Sequence, residues 1–339
     1  MKKDTLLGKT IDELTDIAIN LGMRRFVGAQ LADWIYKKGA RSFEELRNLS
    51  KQNIERLSQD YDFGSTTPTE RVVSSDGTAK YLFESTGGNA IESVYIPSEN
   101  SRTLCISSQA GCRMGCKFCM TARLGFREHL SAADILNQIL SVEESQELTN
   151  IVFMGMGEPL DNLEAVKRAC EVLTAPWGFA WSPTRITVST IGVTDALENL
   201  INNTKVNIAV SLHNPFDSER ITMMPSQKKY PISGTLEMLS KYDFTRQRRL
   251  SFEYILFDGV NDTDRHVTEL ARLLKPFREC RVNLIRFHQI PDSELRGSSA
   301  QRIKQVNGEL NSAGVVTTTR ASRGEDILAA CGMLAGCKA

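Results

Sequence analysis

The chain has 339 residues, with 41 basic residues against 41 acidic ones and 41% hydrophobic residues. That length admits one large domain with an appendage, or two domains, and is ample for a sizeable core. A net charge of zero excludes a global basic field, so any nucleic-acid site has to be a local patch. No stretch approaches the roughly 18 apolar residues needed to cross a bilayer, and the lysine-bearing first ten residues are followed by no apolar run of signal length. Eight cysteines, three of them packed into one short motif, suit a reducing compartment where thiols stay free. The expectation is a cytoplasmic protein with no membrane partner.

The first sixty residues read as helices. Ile11, Leu14, Ile17, Ala18 and Leu21 share one face, and Gly22 ends that segment. Phe26, Ala29, Leu31, Trp34 and Ile35 mark a second helix, closed near Gly39. Ser42, with Glu45 three residues later, reads as another helix start, and a third helix is expected from about 51 to 59. Arg24, Arg25, Lys37, Lys38, Arg41, Arg47 and Lys51 outnumber Asp33, Glu44 and Glu45 here, although a solvated helix surface would show the same charges. Between Arg71 and Pro97 the pattern alternates as short strands do, with turns at Asp76-Gly77 and at Gly87-Gly88-Asn89. A small antiparallel sheet is expected there, linking the helical part to the remainder of the chain. Glu92 lies inside one of its strands, where an acidic side chain ordinarily faces solvent.

A strand over 103–107 then leads into Cys112-Arg113-Met114-Gly115-Cys116-Lys117-Phe118-Cys119, a C-x3-C-x2-C spacing. Three thiolates on so tight a loop can converge on one centre, as iron–sulfur clusters require. Three ligands for a four-iron cluster leave one iron open to a cofactor. The alternative is a structural zinc site with Cys105 as fourth ligand, but the second C-x2-C knuckle that such sites usually have is missing.

After Arg102 strands and helices alternate, the mark of a parallel βα fold. Strands are expected at 103–107, 150–155, 185–190, 206–212, 250–257, 281–287 and 315–320, and helices at 132–146, 163–173, 193–202, 234–242, 264–274 and 300–312. A doubly wound open sheet and a barrel would give the same alternation. In a barrel, sites gather at the C-terminal ends of strands, and polar residues stand at those ends. Gly157-Glu158 follows the second strand: glycine lets a backbone come close to a ligand, and a carboxylate can hold an ammonium group. Ser189 ends the third strand, and Ser211-Leu212-His213 ends the fourth. Generic buried cysteines are inert, which is the reading for Cys170, Cys280 and Cys337. Arg246, Gln247, Arg248, Arg249, Lys228 and Lys229 are candidate phosphate contacts, although such runs are solvated loops in most proteins.

The cysteine motif is that of the radical S-adenosylmethionine (SAM) superfamily. The preceding run Ser107-Ser108-Gln109-Ala110-Gly111-Cys112, the later Gly155-Met156-Gly157-Glu158-Pro159-Leu160 and the final Ala329-Ala330-Cys331-Gly332 closely resemble the adenine-C2 RNA methyltransferase family, the RlmN type, from about Ile91 onward. That resemblance implies an α/β fold: a partial (β/α)6 barrel over 98–339, a small helical RNA-binding domain over 1–68 and a linking β segment over 69–97. It implies a 4Fe–4S cluster on Cys112, Cys116 and Cys119, with two SAM molecules used per turnover. SAM contacts would come from Gly157, Glu158, Ser189, Ser211, Leu212 and His213. His288 falls where familiar members carry an asparagine that touches SAM. Cys331 and Cys105 match the two non-cluster thiols of the family, and Glu92, thirteen residues before Cys105, matches its acid/base glutamate.

The implied chemistry follows from adenine itself. C2 lies between two ring nitrogens and is too electron-poor to attack the methyl of SAM, so a radical must add there. Cys331 takes a methyl from one SAM, a radical generated from the second SAM removes a hydrogen from it, and the methylene adds to C2. Cys105 then releases the adduct through a transient disulfide, with proton removal assigned to Cys105 or Glu92. The implied partners are 23S rRNA near the peptidyl transferase centre, before full ribosome assembly, tRNA at the adenosine next to the anticodon, and a reductase that donates electrons. A related C8-directed group, which confers antibiotic resistance, shares every cysteine; Glu158-Pro159-Leu160 favours C2, while residues 179–183 and 283–286 lean the other way. From another class, a zinc-stabilised RNA-binding protein without catalysis would fit the cysteines alone.

Overall fold

A computed structural model describes residues 3–245, 248–277, 279–291 and 293–336. Arg246, Gln247 and Cys337 lie outside them. The core of the fold is one ten-stranded sheet. Strands β1 (Glu70–Val73), β2 (Ala79–Glu84), β3 (Ala90–Pro97) and β4 (Arg102–Cys105) pair antiparallel in turn. From β4 on, β5 (Asn150–Phe153), β6 (Ile186–Thr190), β7 (Asn207–Ser211), β8 (Leu250–Leu256), β9 (Arg281–Arg286) and β10 (Thr317–Thr319) each run parallel to the strand before. Strand order in space is the order in the chain, and β1 and β10 are the two edges.

Parallel strands need crossovers, and both of their faces are then covered. Hence β7 and β8 are buried along almost their whole length. Helices such as Ala132–Leu140, Leu163–Thr174 and Asp264–Leu274 supply the crossovers. The first of these starts on a capping box in which Ser131 and Asp134 satisfy each other's backbone amides. Side chains of β4 to β9 (Cys105, Phe153, Ser189, Ser211, Glu253 and Ile285 among them) open on one cavity, so the sheet curls into the expected partial barrel. The antiparallel strands expected as a linker hydrogen-bond straight on to it, with Val94 opposite Cys105.

The N-terminal helices are Ile11–Asn20, Phe26–Ala32 and Lys51–Asp60. Ser42 starts no α-helix: Phe43–Glu45 is a single 3-10 turn without a side-chain cap. The cap that works is Ser50, whose Oγ accepts from Asn53 N at 3.3 Å. These helices dock on the barrel's flank. Tyr36 accepts from Gly8 N (3.1 Å), donates to Lys9 O (2.6 Å) and packs against Trp177 and Phe179. Asn137, on the first crossover helix, exchanges hydrogen bonds with the Thr66 backbone at 2.9 and 3.1 Å. The seven basic residues between Arg24 and Lys51 are all exposed. Among the described residues no helix is long and apolar enough to cross a membrane.

Candidate active site

The three-cysteine loop is built between two short strands, Gln109–Gly111 and Phe126–His129, which pair antiparallel. Gly111 sits at φ +73°, and a Cβ there would fall 1.8 Å from the Gly125 carbonyl oxygen, so only glycine fits. That same carbonyl accepts from Cys112 N at 3.1 Å. Lys117 N donates to Met223 O (2.9 Å) and Met120 N to Gly332 O (2.7 Å), tying the loop to the far wall and to the Cys331 segment. Cys112 and Cys116 are buried, Cys119 is half-buried, and all three line the cavity.

Burial pushes the Cys112 thiol up to about 12 and Cys116 well above its ordinary value. Metal coordination removes such protons and releases that cost. Arg220 supports an anionic occupant. It is fully buried, and its guanidinium donates to the carbonyls of Leu212 (2.9 Å), Ile191 (2.8 Å) and Ser211 (2.8 Å) and to the Gln227 side chain, with Cys116 close enough to act on its charge. A buried cation hydrogen-bonded to neutral acceptors needs negative charge nearby; Asp217 supplies part of it, and a thiolate-held cluster would add more. Among the described residues no three His, Cys, Asp or Glu side chains converge on a single-ion site. Cluster thiolates bind separate irons and stand further apart than the ligands of one ion.

Glu158 is buried beside this loop. Its Oε2 accepts from Ile191 N (3.0 Å) and its Oε1 from Leu160 N (3.1 Å), yet burial still raises its carboxyl to about 7. An ammonium group in the cavity would restore its charge. Gly157 is a glycine for a different reason than ligand approach: at φ +99°, its Cβ would lie 2.5 Å from the Gln109 side chain. Gln109 accepts from Glu158 N (2.8 Å) and donates to Asp161 (2.8 Å), which Arg113 holds at 2.9 Å.

Ser189, Ser211 and His213 line the same cavity. His213 takes φ +54°, and its Nδ1 accepts from Ile255 N at 3.0 Å. The neutral ring therefore carries its proton on Nε2. Burial lowers its pKa to about 3, so it stays a neutral donor. Leu212 does not line the cavity: it is fully buried, its N–H donates to Glu253 O and its carbonyl is taken by Arg220. His288 is not on the cavity wall. Its ring lies between Ser322 Oγ (3.2 Å) and Glu325 (3.4 Å).

The two remaining thiols face the same space. Cys105 ends β4, and burial, then the neighbouring Cys331, raise it to about 12. Cys331 is exposed as a residue, but it lines the cavity, where desolvation raises its thiol and Arg320 opposes the shift. Its loop is latched at both ends. At the near end Asp326 accepts from Ser74 Oγ (2.6 Å) and Ser75 N (3.1 Å), while Gly324 N donates to Asp76 (3.0 Å). At the far end Ala335 N and Gly336 N donate to Glu92 Oε2 at 2.7 and 2.9 Å. The other oxygen of Glu92 pairs with buried Lys80 at 3.2 Å. Glu92 is thus buried, not solvent-facing, and lies off the cavity wall.

Sequence reasoning missed Arg220, Gln109, Arg320 and Glu253. Glu253 carried a usable signal, a lone carboxylate within the apolar run Phe252 to Phe257. A separate cleft lies between the N-terminal helices and the barrel flank, lined by Lys9, Lys167, Arg168 and Lys205 with Glu13 and Glu171, and contains none of the cavity's thiols.

Residues 106–272 match the Radical SAM superfamily, and residues 5–62 match the ribosomal RNA large subunit methyltransferase N-terminal domain. The chain is 53% identical, over all of its length and 96% of the relative's, to a probable dual-specificity RNA methyltransferase RlmN of Porphyromonas gingivalis. It is 39% identical, over 99% of its length and 97% of the relative's, to the dual-specificity RNA methyltransferase RlmN of Syntrophus aciditrophicus. A radical SAM methyltransferase from Sphaerobacter thermophilus superposes with a TM-score of 0.93 at 36% identity, covering 98% of this chain and 99% of that one.

Proposed function

Because the chain belongs to the RlmN family of radical SAM RNA methyltransferases, we propose that it methylates C2 of an adenosine in 23S rRNA and of the adenosine next to the anticodon in tRNA. Cys331 is the proposed methyl carrier. A family of this kind works with a 4Fe–4S cluster and SAM. Cys112, Cys116 and Cys119 would hold the cluster, Glu158 with Gly157 the ammonium group of SAM, and Ser189, Ser211 and His213 the rest of that molecule, with Leu212 holding Ser211 and His213 in place between them; His288 stands further off, with Glu325. When bound, cluster and SAM supply single electrons and the methyl carbon, and remove one hydrogen atom from it.

The observation that carries the reading is that Cys105 and Cys331 open on the cavity that also holds the three cluster cysteines. Cys331 loses its proton and receives the methyl on sulfur. After that carbon has bonded to C2, the adduct gives up its C2 proton, and its unpaired electron to the oxidant that a bound cluster would supply. Cys105, as thiolate, then attacks the Cys331 sulfur: an S–S bond forms, the C–S bond breaks with its electron pair left on the methylene carbon, and a proton from solvent completes the methyl on the base. With both oxygens of Glu92 engaged by Lys80 and by backbone amides, we assign proton removal from C2 to Cys105 and the anchoring of the Cys331 loop to Glu92.

The exposed basic helices of residues 1–68 are proposed to hold RNA phosphates. Residues 69–97 join them to a catalytic unit over 98–339, served by a reductase in the cytoplasm and acting on 23S rRNA before the ribosome is fully assembled. Anaerobically reconstituted protein should convert adenosine to 2-methyladenosine in rRNA and tRNA fragments, read by mass spectrometry after nuclease digestion. A methyl at C8 would overturn the assignment in favour of the C8-directed group.

A further inference from the structure

Glu253 stands in the middle of β8 with only 3% of its surface exposed, and it lines the cavity beside the two thiols. Its two oxygens differ. Oε1 accepts from Asn283 Nδ2 at 2.8 Å, Ser251 Oγ at 3.0 Å and Arg320 Nη2 at 3.3 Å. Oε2 is buried and has no partner. Leaving a carboxylate oxygen dry and unbonded is expensive, and a fold that satisfies one oxygen three times and the other not at all reserves the second for a ligand. Glu253 and Cys331 line the same cavity, and the charge of Glu253 acts on the Cys331 thiol.

We propose that Glu253 reads the 6-amino group of the target adenine, and so selects adenine over a 6-oxopurine. The inference rests on methylation at C2. A base extruded from its stack enters with its ribose toward the mouth, so the edge opposite the sugar goes in first. That edge carries C2, N1 and the exocyclic amine. With C2 presented to Cys331, the amine lies across N1 from it and donates to the free Oε2. A 6-oxopurine would set a carbonyl oxygen against that oxygen, two acceptors with no proton between them. Sites built to hydrogen-bond a group reject analogues that leave the buried partner unpaired by large factors.

Hypoxanthine isolates this contact. Guanine is blocked by the amine on its own C2, whereas hypoxanthine keeps hydrogen on C2 and differs from adenine at position 6. The substitution Glu253→Gln is directional. Three donors converge on Oε1, so the amide oxygen must take that place, and its NH2 then replaces Oε2 and sets a donor where the unpaired acceptor stood.

The test uses reconstituted full-length protein and an RNA hairpin with adenosine, inosine or unsubstituted purine riboside at the target position. The wild type should methylate adenosine fastest, purine riboside more slowly, and inosine at least about 100-fold more slowly than adenosine. E253Q should lower the adenosine-to-inosine rate ratio by about 100-fold, chiefly through faster inosine methylation. Because a ratio within one variant cancels its folded fraction, a general loss of structure does not imitate this result. Should E253Q not fold, the wild-type order over the three hairpins decides alone, and equal rates on adenosine and inosine overturn the proposal. An unchanged ratio in a folded E253Q overturns it too, as does a large loss of SAM affinity in E253Q without a change of ratio, which would give the oxygen to SAM. If the wild type makes no 2-methyladenosine, the functional reading falls and takes this inference with it; if it does and the ratio stays fixed, only the inference falls.

Discussion

The loop that carries Cys112, Cys116 and Cys119 and the loop that carries Cys331 touch through the Met120–Gly332 hydrogen bond, yet they are fixed by different means. Backbone geometry holds the first: a glycine with no room for a side chain, and amides paired to the carbonyls of Gly125 and Met223. Carboxylates hold the second. Asp76 and Glu92, from the antiparallel end of the sheet, and its own Asp326 accept the bonds that keep it in place. A steric cradle suits a cluster that must stay put. A latch of hydrogen bonds suits a thiol proposed to meet SAM, then a base, then Cys105.

Breaking the cradle should have the largest effect. Cys112→Ala, Cys116→Ala or Cys119→Ala should each lose most bound iron, since the cluster is left under-coordinated; full iron content with SAM cleavage in any of them would end the assignment. Next come the two thiols, whose loss should leave iron loading intact. Cys331→Ala has no methyl acceptor and should yield no product. Cys105→Ala should stall with RNA joined to Cys331 through a carbon–sulfur link, seen on a denaturing gel as a shifted band that resists reducing agent. Normal turnover by Cys105→Ala would remove its proposed role.

The latch itself is next. Glu92→Ala strands buried Lys80 and two loop amides, a loss on the order of 3–5 kcal/mol, read as a lower Tm and faster hydrogen exchange over residues 332–336. Glu92→Gln keeps an acceptor and should retain measurable methylation. A Gln variant with an intact loop but no activity would make Glu92 a proton carrier instead of an anchor. The smallest effect should come from Asp326→Asn, with roughly two- to five-fold faster alkylation of Cys331. Hydrogen bonds from neighbouring groups outweigh desolvation and hold the Asp76 carboxyl at about 2, and hydrogen bonds from Ser74 and Ser75 lower that of Asp326 as well. Groups depressed in the folded state contribute above their unfolded pKa and lose that contribution as pH falls through the folded value. Protection against exchange over residues 324–331, relative to the intrinsic rate at each pH, should therefore stay the same from pH 7 to pH 5.

Much of this was legible beforehand because it depends on local pattern. Alternating apolar runs and caps such as Ser131–Asp134 mark the crossovers, and the cysteine spacing marks the cradle. What was not legible depends on distant partners. Nothing near Ser42 tells it apart from Ser50, whose helix alone had a buried apolar side, at Leu57, to continue it. His288 occupies a site-like position in the chain, and only the fold shows that Glu325 and Ser322 flank its ring. Glu92 looks like any strand carboxylate until Lys80 and the tail amides close around it. The free oxygen of Glu253 is visible only after its other oxygen is seen to be filled.

A sheet whose spatial order is its chain order can form strand by strand, each arrival pairing with the one just before it. N-terminal parts generally fold first during synthesis, so the cradle and the SAM-facing wall can be in place while later strands are still emerging. The latch is the exception, because Ser74 and Asp326 are 252 residues apart. Closing so long a loop costs entropy that only late contacts repay. A long closure of this kind places the Cys331 loop among the late contacts of folding, and a chain interrupted before β10 carries the three proposed cluster cysteines but lacks Cys331, the proposed methyl carrier.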